Sequence, residues 1–147
     1  MILGIESTAH TLSFGLVEEN GRAVPSISNL FRPKEGGIHP REAADHHSSV
    51  AGNLLSRVMV DNSLSSSDIT AIAFSQGPGL GPCLRVGASV ARALSNSWRV
   101  PLIGVNHCVA HIEIGRNQTG CEDPVLLYVS GGNTQVIARR GNRYRVL

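Results

Sequence analysis

His107 and His111 stand four residues apart in a stretch, residues 106–114, whose pattern predicts a short helix with Gly115 near its end. In a helix that spacing puts both imidazoles on one face, close enough to share a metal ion. Six histidines in the chain give roughly 0.2 such pairs by chance. Taken alone, the pair divides evenly between a metal site and ordinary surface or core histidines. Two ligands are also too few for a site, so further donors must come from elsewhere. A zinc-peptidase reading can be tested directly. It needs a Glu right after the first His as general base, and that position is Cys108. Glu113 lies two residues past the second His, about 200° away around a helix.

Three glycine- or hydroxyl-bearing turns are the next candidates. Ser130-Gly131-Gly132-Asn133-Thr134 falls between two apolar runs. Adjacent glycines let a phosphate approach the backbone, and Ser and Thr add donors. With no Lys-Ser/Thr pair and no following helix it is not a Walker loop, and a plain hairpin turn is the alternative. Gly77-Pro78-Gly79-Leu80-Gly81 precedes a helix, where it either holds an anion or lets the helix pack closely on a sheet. A polar turn at residues 6–11 can hold a phosphate through hydroxyls and backbone N–H groups. Finally His39, Arg41, Glu42, His46 and His47 gather at the start of a helical pattern, as a solvated helix start or as a substrate or anion pocket.

The elements that must carry these residues read as α/β. Strands are expected at residues 2–5, 12–18 and 23–30, with Asn20-Gly21 as a hairpin signal. A helix follows over residues 41–60 with Ala43, His47, Val50, Leu54 and Val58 on one face. Then come a strand at 71–75, a helix with Leu84, Ala88, Ala91, Leu94 and Trp98 on one face, and a strand at 101–105. After the histidine helix, strands at 125–129 and 134–139 and a Gly141-Asn142 turn begin what looks like a second meander. Strands alternating with helices define the class.

The 147 residues suit one domain with a real core. A 41% apolar and 16% charged composition with net charge +2 excludes a disordered chain and a strongly basic nucleic-acid binder. Arg139, Arg140, Arg143 and Arg145 nevertheless cluster near the end, as a solvated strand and turn or as part of a phosphate-backbone contact. Three cysteines without CxxC spacing exclude a disulfide framework or zinc ribbon. No apolar run approaches the roughly 18 residues of a membrane span, and the expected compartment is the cytoplasm.

Residues 3–8 (LGIEST), 36–43 (GGIHPREA), 76–87 (QGPGLGPCLRVG), 106–115 (NHCVAHIEIG) and 128–135 (YVSGGNTQ) together resemble the TsaD family of tRNA threonylcarbamoyladenosine synthases. The nearest match is its archaeal and eukaryotic branch, which works within the KEOPS complex. The five segments occur in family order and span nearly the whole chain. The resemblance implies an ASKHA fold, the actin, sugar-kinase and Hsp70 type, with residues 1–130 as an N-terminal lobe and 131–147 as the start of a second. It implies transfer of a threonylcarbamoyl group from threonylcarbamoyl-adenylate to N6 of the tRNA adenosine following the anticodon. It also implies one iron or zinc ion held by His107, His111 and Tyr128, and ATP or threonylcarbamoyl-adenylate bound near Tyr128, Val129, Ser130, Gly131, Gly132 and Asn133.

Glu6, Ser7, His39 and Glu42 are the candidates for the acceptor side, and no catalytic base is assigned. Implied partners are tRNA, a KEOPS dimerisation subunit meeting the helix at 41–60, and a Bud-type kinase; no membrane is implied. The family's remaining metal ligand and its ribose- and base-binding residues have no counterpart here, so the chain alone is expected to be inactive. A different ASKHA nucleotide-binding enzyme, or a module that binds partners only, are the competing readings.

Overall fold

In the computed structural model, which describes residues 1–130 and 134–147, the first thirty positions fold as the expected meander. β1 (Ile2–Glu6), β2 (Thr11–Val17) and β3 (Ala23–Leu30) pair antiparallel in that order. Side chains alternate across a strand, so Leu3, Ile5, Leu12, Phe14 and Leu16 share one face and are buried there. β4 (Ala71–Gly77) lies parallel to β1 on its other side, and β5 (Leu102–Asn106) completes the order β3-β2-β1-β4-β5.

α1 (Pro40–Asp61) starts with proline in its first turn, where the missing N–H has no helical partner to lose. It buries Ala43, Ala44, His47, Ala51, Leu54 and Val58. Leu54 and Val58 join the sheet's apolar face in one core, and Leu55 packs half-buried against it. The apolar stripe of this helix is therefore spent on its own core.

α2 (Gly81–Trp98) meets the expected face in part: Ala91 is buried in the core and Leu94 and Trp98 pack half-buried against it. The rest of its buried face is Cys83, Gly87 and Ser95, while Leu84 and Ala88 are half-buried. Small residues line the contact because the helix comes very close to the turn after β1. A Cβ on Gly87 would stand 2.1 Å from Ser7 Oγ.

α3 (His107–Thr119) runs well past Gly115, which is exposed and tolerated inside the helix. Gly120, in the left-handed region at φ 70°, ends it. β6 (Val125–Val129), β7 (Thr134–Arg140) and β8 (Arg143–Val146) then form a separate antiparallel sheet. Two compact units result, Met1–Val105 and Asn106–Leu147. This division falls at the start of α3, ahead of the lobe boundary expected after residue 130. No helix among the described residues is long and apolar enough to cross a membrane.

Candidate functional site

The second unit is built around the start of α3. Asn106 caps the helix: its side-chain oxygen accepts from the N–H groups of Cys108 (2.9 Å) and Val109 (3.2 Å), satisfying two donors that a helix start leaves open. That fixes His107 as the first helical residue and puts His111 one turn on. Cys108 and Ile112 turn the other way and pack with Ile137, Leu126 and Tyr128. Since Leu126 and Tyr128 alternate with outward residues on β6, the same strand face that anchors α3 presents Tyr128 to the histidines.

The three rings converge. Centroids lie 4.6 Å apart for His107–His111, 5.9 Å for His107–Tyr128 and 5.7 Å for His111–Tyr128. The two Nε2 atoms are 3.2 Å apart and hydrogen-bonded to each other, one ring N–H donating to the other ring's nitrogen. Two nitrogens each 2.0–2.1 Å from one tetrahedral ion would stand about 3.3 Å apart, so the imidazole tips already have the spacing of two ligands of a single ion. The residues present therefore fit a metal as a partial set of two imidazoles and a phenol. Among the described residues no group of three or more His, Cys, Asp or Glu forms a metal cluster. Cys108 packs into the apolar cluster with Ile112 and Ile137, and burial pushes its thiol pKa up.

A polar clamp that sequence reasoning missed holds α3 to the sheet. Glu113 accepts from Tyr144 and pairs with Arg116 on its own helix. Arg139 reaches Glu113 (3.5 Å) and Asp123 (3.1 Å), and Asp123 also accepts from the Gly141 N–H (2.9 Å). The Tyr144 hydrogen bond, then Arg116 and Arg139, hold the Glu113 carboxyl below its usual range, and Tyr144 is correspondingly raised. The Glu113/Arg116 spacing was a legible helical pair. Arg139 could have been separated from its neighbours by strand alternation.

Ser130 is exposed just beyond β6, and Val129 points away from Tyr128. The expected adenylate contacts Gly131, Gly132 and Asn133 lie outside the described residues.

The acceptor-side candidates belong to the first unit and are described apart from the histidine pair. Glu6 ends β1, and its carboxylate accepts the Thr8 N–H at 2.6 Å. Ser7 is fully buried, with its hydroxyl closed over by α2 and unpartnered among the described residues. His39 is the exposed residue preceding α1 and makes no side-chain cap; Glu42 is exposed in the first turn.

What ties this region together is the turn at residues 7–10, whose carbonyls point inward. Thr8 O accepts from the Leu80 N–H (2.7 Å), Ala9 O from His47 Nε2 (2.9 Å), and His10 O from the Phe31 N–H (2.7 Å). Gly79 is needed for the first of these approaches, since a Cβ there would meet Thr8 O at 2.5 Å. The 77–81 loop thus serves close packing. His47, read from sequence as one of an apolar stripe, is 0% exposed, and burial holds its imidazole below the ordinary histidine range.

A meander, crossover helix, parallel strand and second helix, followed by a further helix and a new meander, define an ASKHA-type α/β protein. Solved structures agree. YeaZ from Pseudomonas aeruginosa matches with a TM-score of 0.70 at 17% identity, over 99% of this chain and 63% of that one. The Aquifex aeolicus Ppx/GppA family member matches with a TM-score of 0.50 at 10% identity, over 99% and 49%. These likenesses establish the fold alone.

The sequence goes further. Residues 24–147 match TsaD, tRNA N6-adenosine threonylcarbamoyltransferase, and the chain belongs to that family. It is 60% identical over 144 residues to the tRNA N6-adenosine threonylcarbamoyltransferase of Archaeoglobus fulgidus, covering 98% of this chain and 44% of the relative. To the protein of the same name from Methanococcoides burtonii it is 53% identical over 148 residues, covering 99% and 44%. The chain thus spans less than half the length of these curated relatives.

Proposed function

We propose that this chain supplies the histidine-bearing part of an enzyme that transfers a threonylcarbamoyl group from threonylcarbamoyl-adenylate to N6 of the tRNA adenosine after the anticodon. The observation that carries the reading is the convergence of His107, His111 and Tyr128, with Nε2 atoms 3.2 Å apart, in a chain of the TsaD family. An iron or zinc ion held by these three residues would polarise the phosphate and carbamoyl oxygens as a Lewis acid and template.

This chain's own residues have simpler tasks. Asn106 sets the start of α3 and so the direction of both imidazoles. The Glu113–Arg139–Tyr144 clamp fixes α3 against β7 and β8, which keeps the histidines over Tyr128. Tyr128 and the residues that follow it directly, Val129, Ser130, Gly131, Gly132 and Asn133, are the proposed contacts for the adenylate, with ATP as the alternative occupant. Glu6, Ser7, His39 and Glu42 remain proposed for the acceptor side. With Ser7 buried, the load falls on Glu6, His39 and Glu42. Glu113 is unsuited to act as a peptidase base, since its carboxylate is already engaged by Tyr144 and Arg116.

The proposed partners are tRNA, a KEOPS dimerisation subunit and a Bud-type kinase, in the cytoplasm. Because the apolar stripe of α1 serves its own core, a partner would meet the outward flank of that helix, where Val60 is exposed. The test is threonylcarbamoyl transfer to a tRNA transcript by the full-length enzyme and its His107→Ala/His111→Ala variant. Transfer should fall to background with folding intact; transfer at the parental rate would end the proposal.

A further inference from the structure

The four clustered arginines do not share one role. Arg139 faces α3 and is spent on Glu113 and Asp123, with 10% of its side chain exposed. The register puts the other three on the opposite face. Arg140 pairs directly with Arg143, and Ala138 with Arg145, so by strand alternation Arg140, Arg143 and Arg145 all point away from α3. All three are exposed. Gly141, with φ 58°, makes the two-residue turn that brings Arg140 and Arg143 opposite each other.

Two like charges directly opposed across strands destabilise a hairpin, so this arrangement asks for an anion. The chain itself offers little. Residues 1–105 carry eight Lys or Arg and eight Asp or Glu, whereas residues 106–147 carry five and three. The whole positive excess therefore lies in the second unit. Of its three acids, Glu113 and Asp123 are engaged by Arg116, Arg139 and Tyr144.

We infer that the β7–β8 hairpin face bearing Arg140, Arg143 and Arg145 is a contact for the phosphate backbone of the RNA substrate. The inference rests on the transfer reading above, which makes the polyanion a tRNA. Residues two apart on one strand are spaced by about 6.6 Å, which lets Arg143 and Arg145 reach successive phosphates while Arg140 widens the patch. Tyr144, between Arg143 and Arg145, faces α3 with Arg139, so no aromatic residue shares the face of the three arginines, which grips backbone and orients the RNA rather than reading bases.

The test is fluorescence anisotropy of a labelled tRNA transcript with the 147-residue chain across a KCl series. The Arg140→Gln/Arg143→Gln/Arg145→Gln variant should bind about tenfold or more weakly at 100 mM KCl and flatten the log–log salt slope by about 2. The corresponding triple Lys variant should keep most of both. Arg57→Gln/Arg92→Gln, which removes two exposed arginines of the first unit, should leave them unchanged. Should the Gln variant lose its native circular dichroism, the single Arg145→Gln variant is read instead, with a slope change of about 1. A folded variant that binds tRNA with the parental affinity and slope overturns the inference and leaves the transfer reading standing. A parental chain that binds no tRNA, whether or not it binds phosphatidylserine vesicles, overturns the assignment to RNA, while the transfer reading stands or falls separately on the His107→Ala/His111→Ala assay.

Discussion

The two units are held together in different ways. The first packs a mixed sheet against two helices, with Phe14, Leu3, Leu12, Leu16, Ile72 and Val58 fully or almost fully excluded from water, and its charges balance. The second buries Cys108, Ile112 and Ile137 as its apolar centre and fastens α3 to its sheet with the Glu113–Arg116–Arg139–Asp123–Tyr144 clamp. Its β6 residues Val125, Leu127 and Val129 are about two-thirds exposed on the other face. Packing thus makes the frame, while the residues fit for chemistry sit where hydrogen bonds and ion pairs set the geometry.

Substitutions can break this contrast. Both tyrosines lie in the second unit and the single tryptophan, Trp98, in the first, so the two can be followed separately. The largest effect is expected for Gly87→Leu, which drives a side chain into Ser7 at the α2–sheet contact. It should cost about 3 kcal/mol or more and lower the Trp98-reported melting temperature.

His47→Gln should come next, at about 2 kcal/mol, through loss of the buried bond to Ala9 O. It also changes the pH profile. His47 is held below its ordinary value of 6.5, so the unfolded chain binds the proton more readily, and stability is lost as pH falls from about 6.5 toward the folded pKa. Urea titrations between pH 5 and 8 should show that loss in the parental chain and a smaller one in the variant.

Glu113→Ala removes the centre of the clamp, whose carboxylate is partly exposed. About 1.5 kcal/mol is expected, visible in tyrosine fluorescence and not in Trp98, and diminished in high salt. The smallest is Asn106→Ala, at about 1 kcal/mol for a lost cap, with fraying of α3 detected by amide exchange at Cys108 and Val109.

Much of this was legible in the sequence. The meander, the first long helix and the α/β order followed from alternation, turn residues and helical spacing, because these are local signals. The His107/His111 face and the place of Tyr128 were legible from spacing and family motif. The buried face of α2 was legible only in part: Ala91, Leu94 and Trp98 do meet the core, but Cys83, Gly87 and Ser95 look less apolar than the leucines beside them. Only the approach of the turn at Ser7 selects small residues there. The length of α3 was missed because Gly115 resembles a stop signal, whereas Gly120 takes the left-handed conformation that ends the helix. Alternation separates Arg139 from Arg140, but placing Arg143 and Arg145 on the face of Arg140 needed the strand register, and His47's bond to Ala9 spans 38 positions, beyond any local pattern.

The central claim is that His107 and His111 hold one metal ion together. Its most direct test is the metal content, by mass spectrometry, of the purified full-length protein beside its His107→Ala/His111→Ala variant. The account predicts about one iron or zinc per chain in the parent and none in the folded variant. Equal metal in both, or none in the parent, would contradict it.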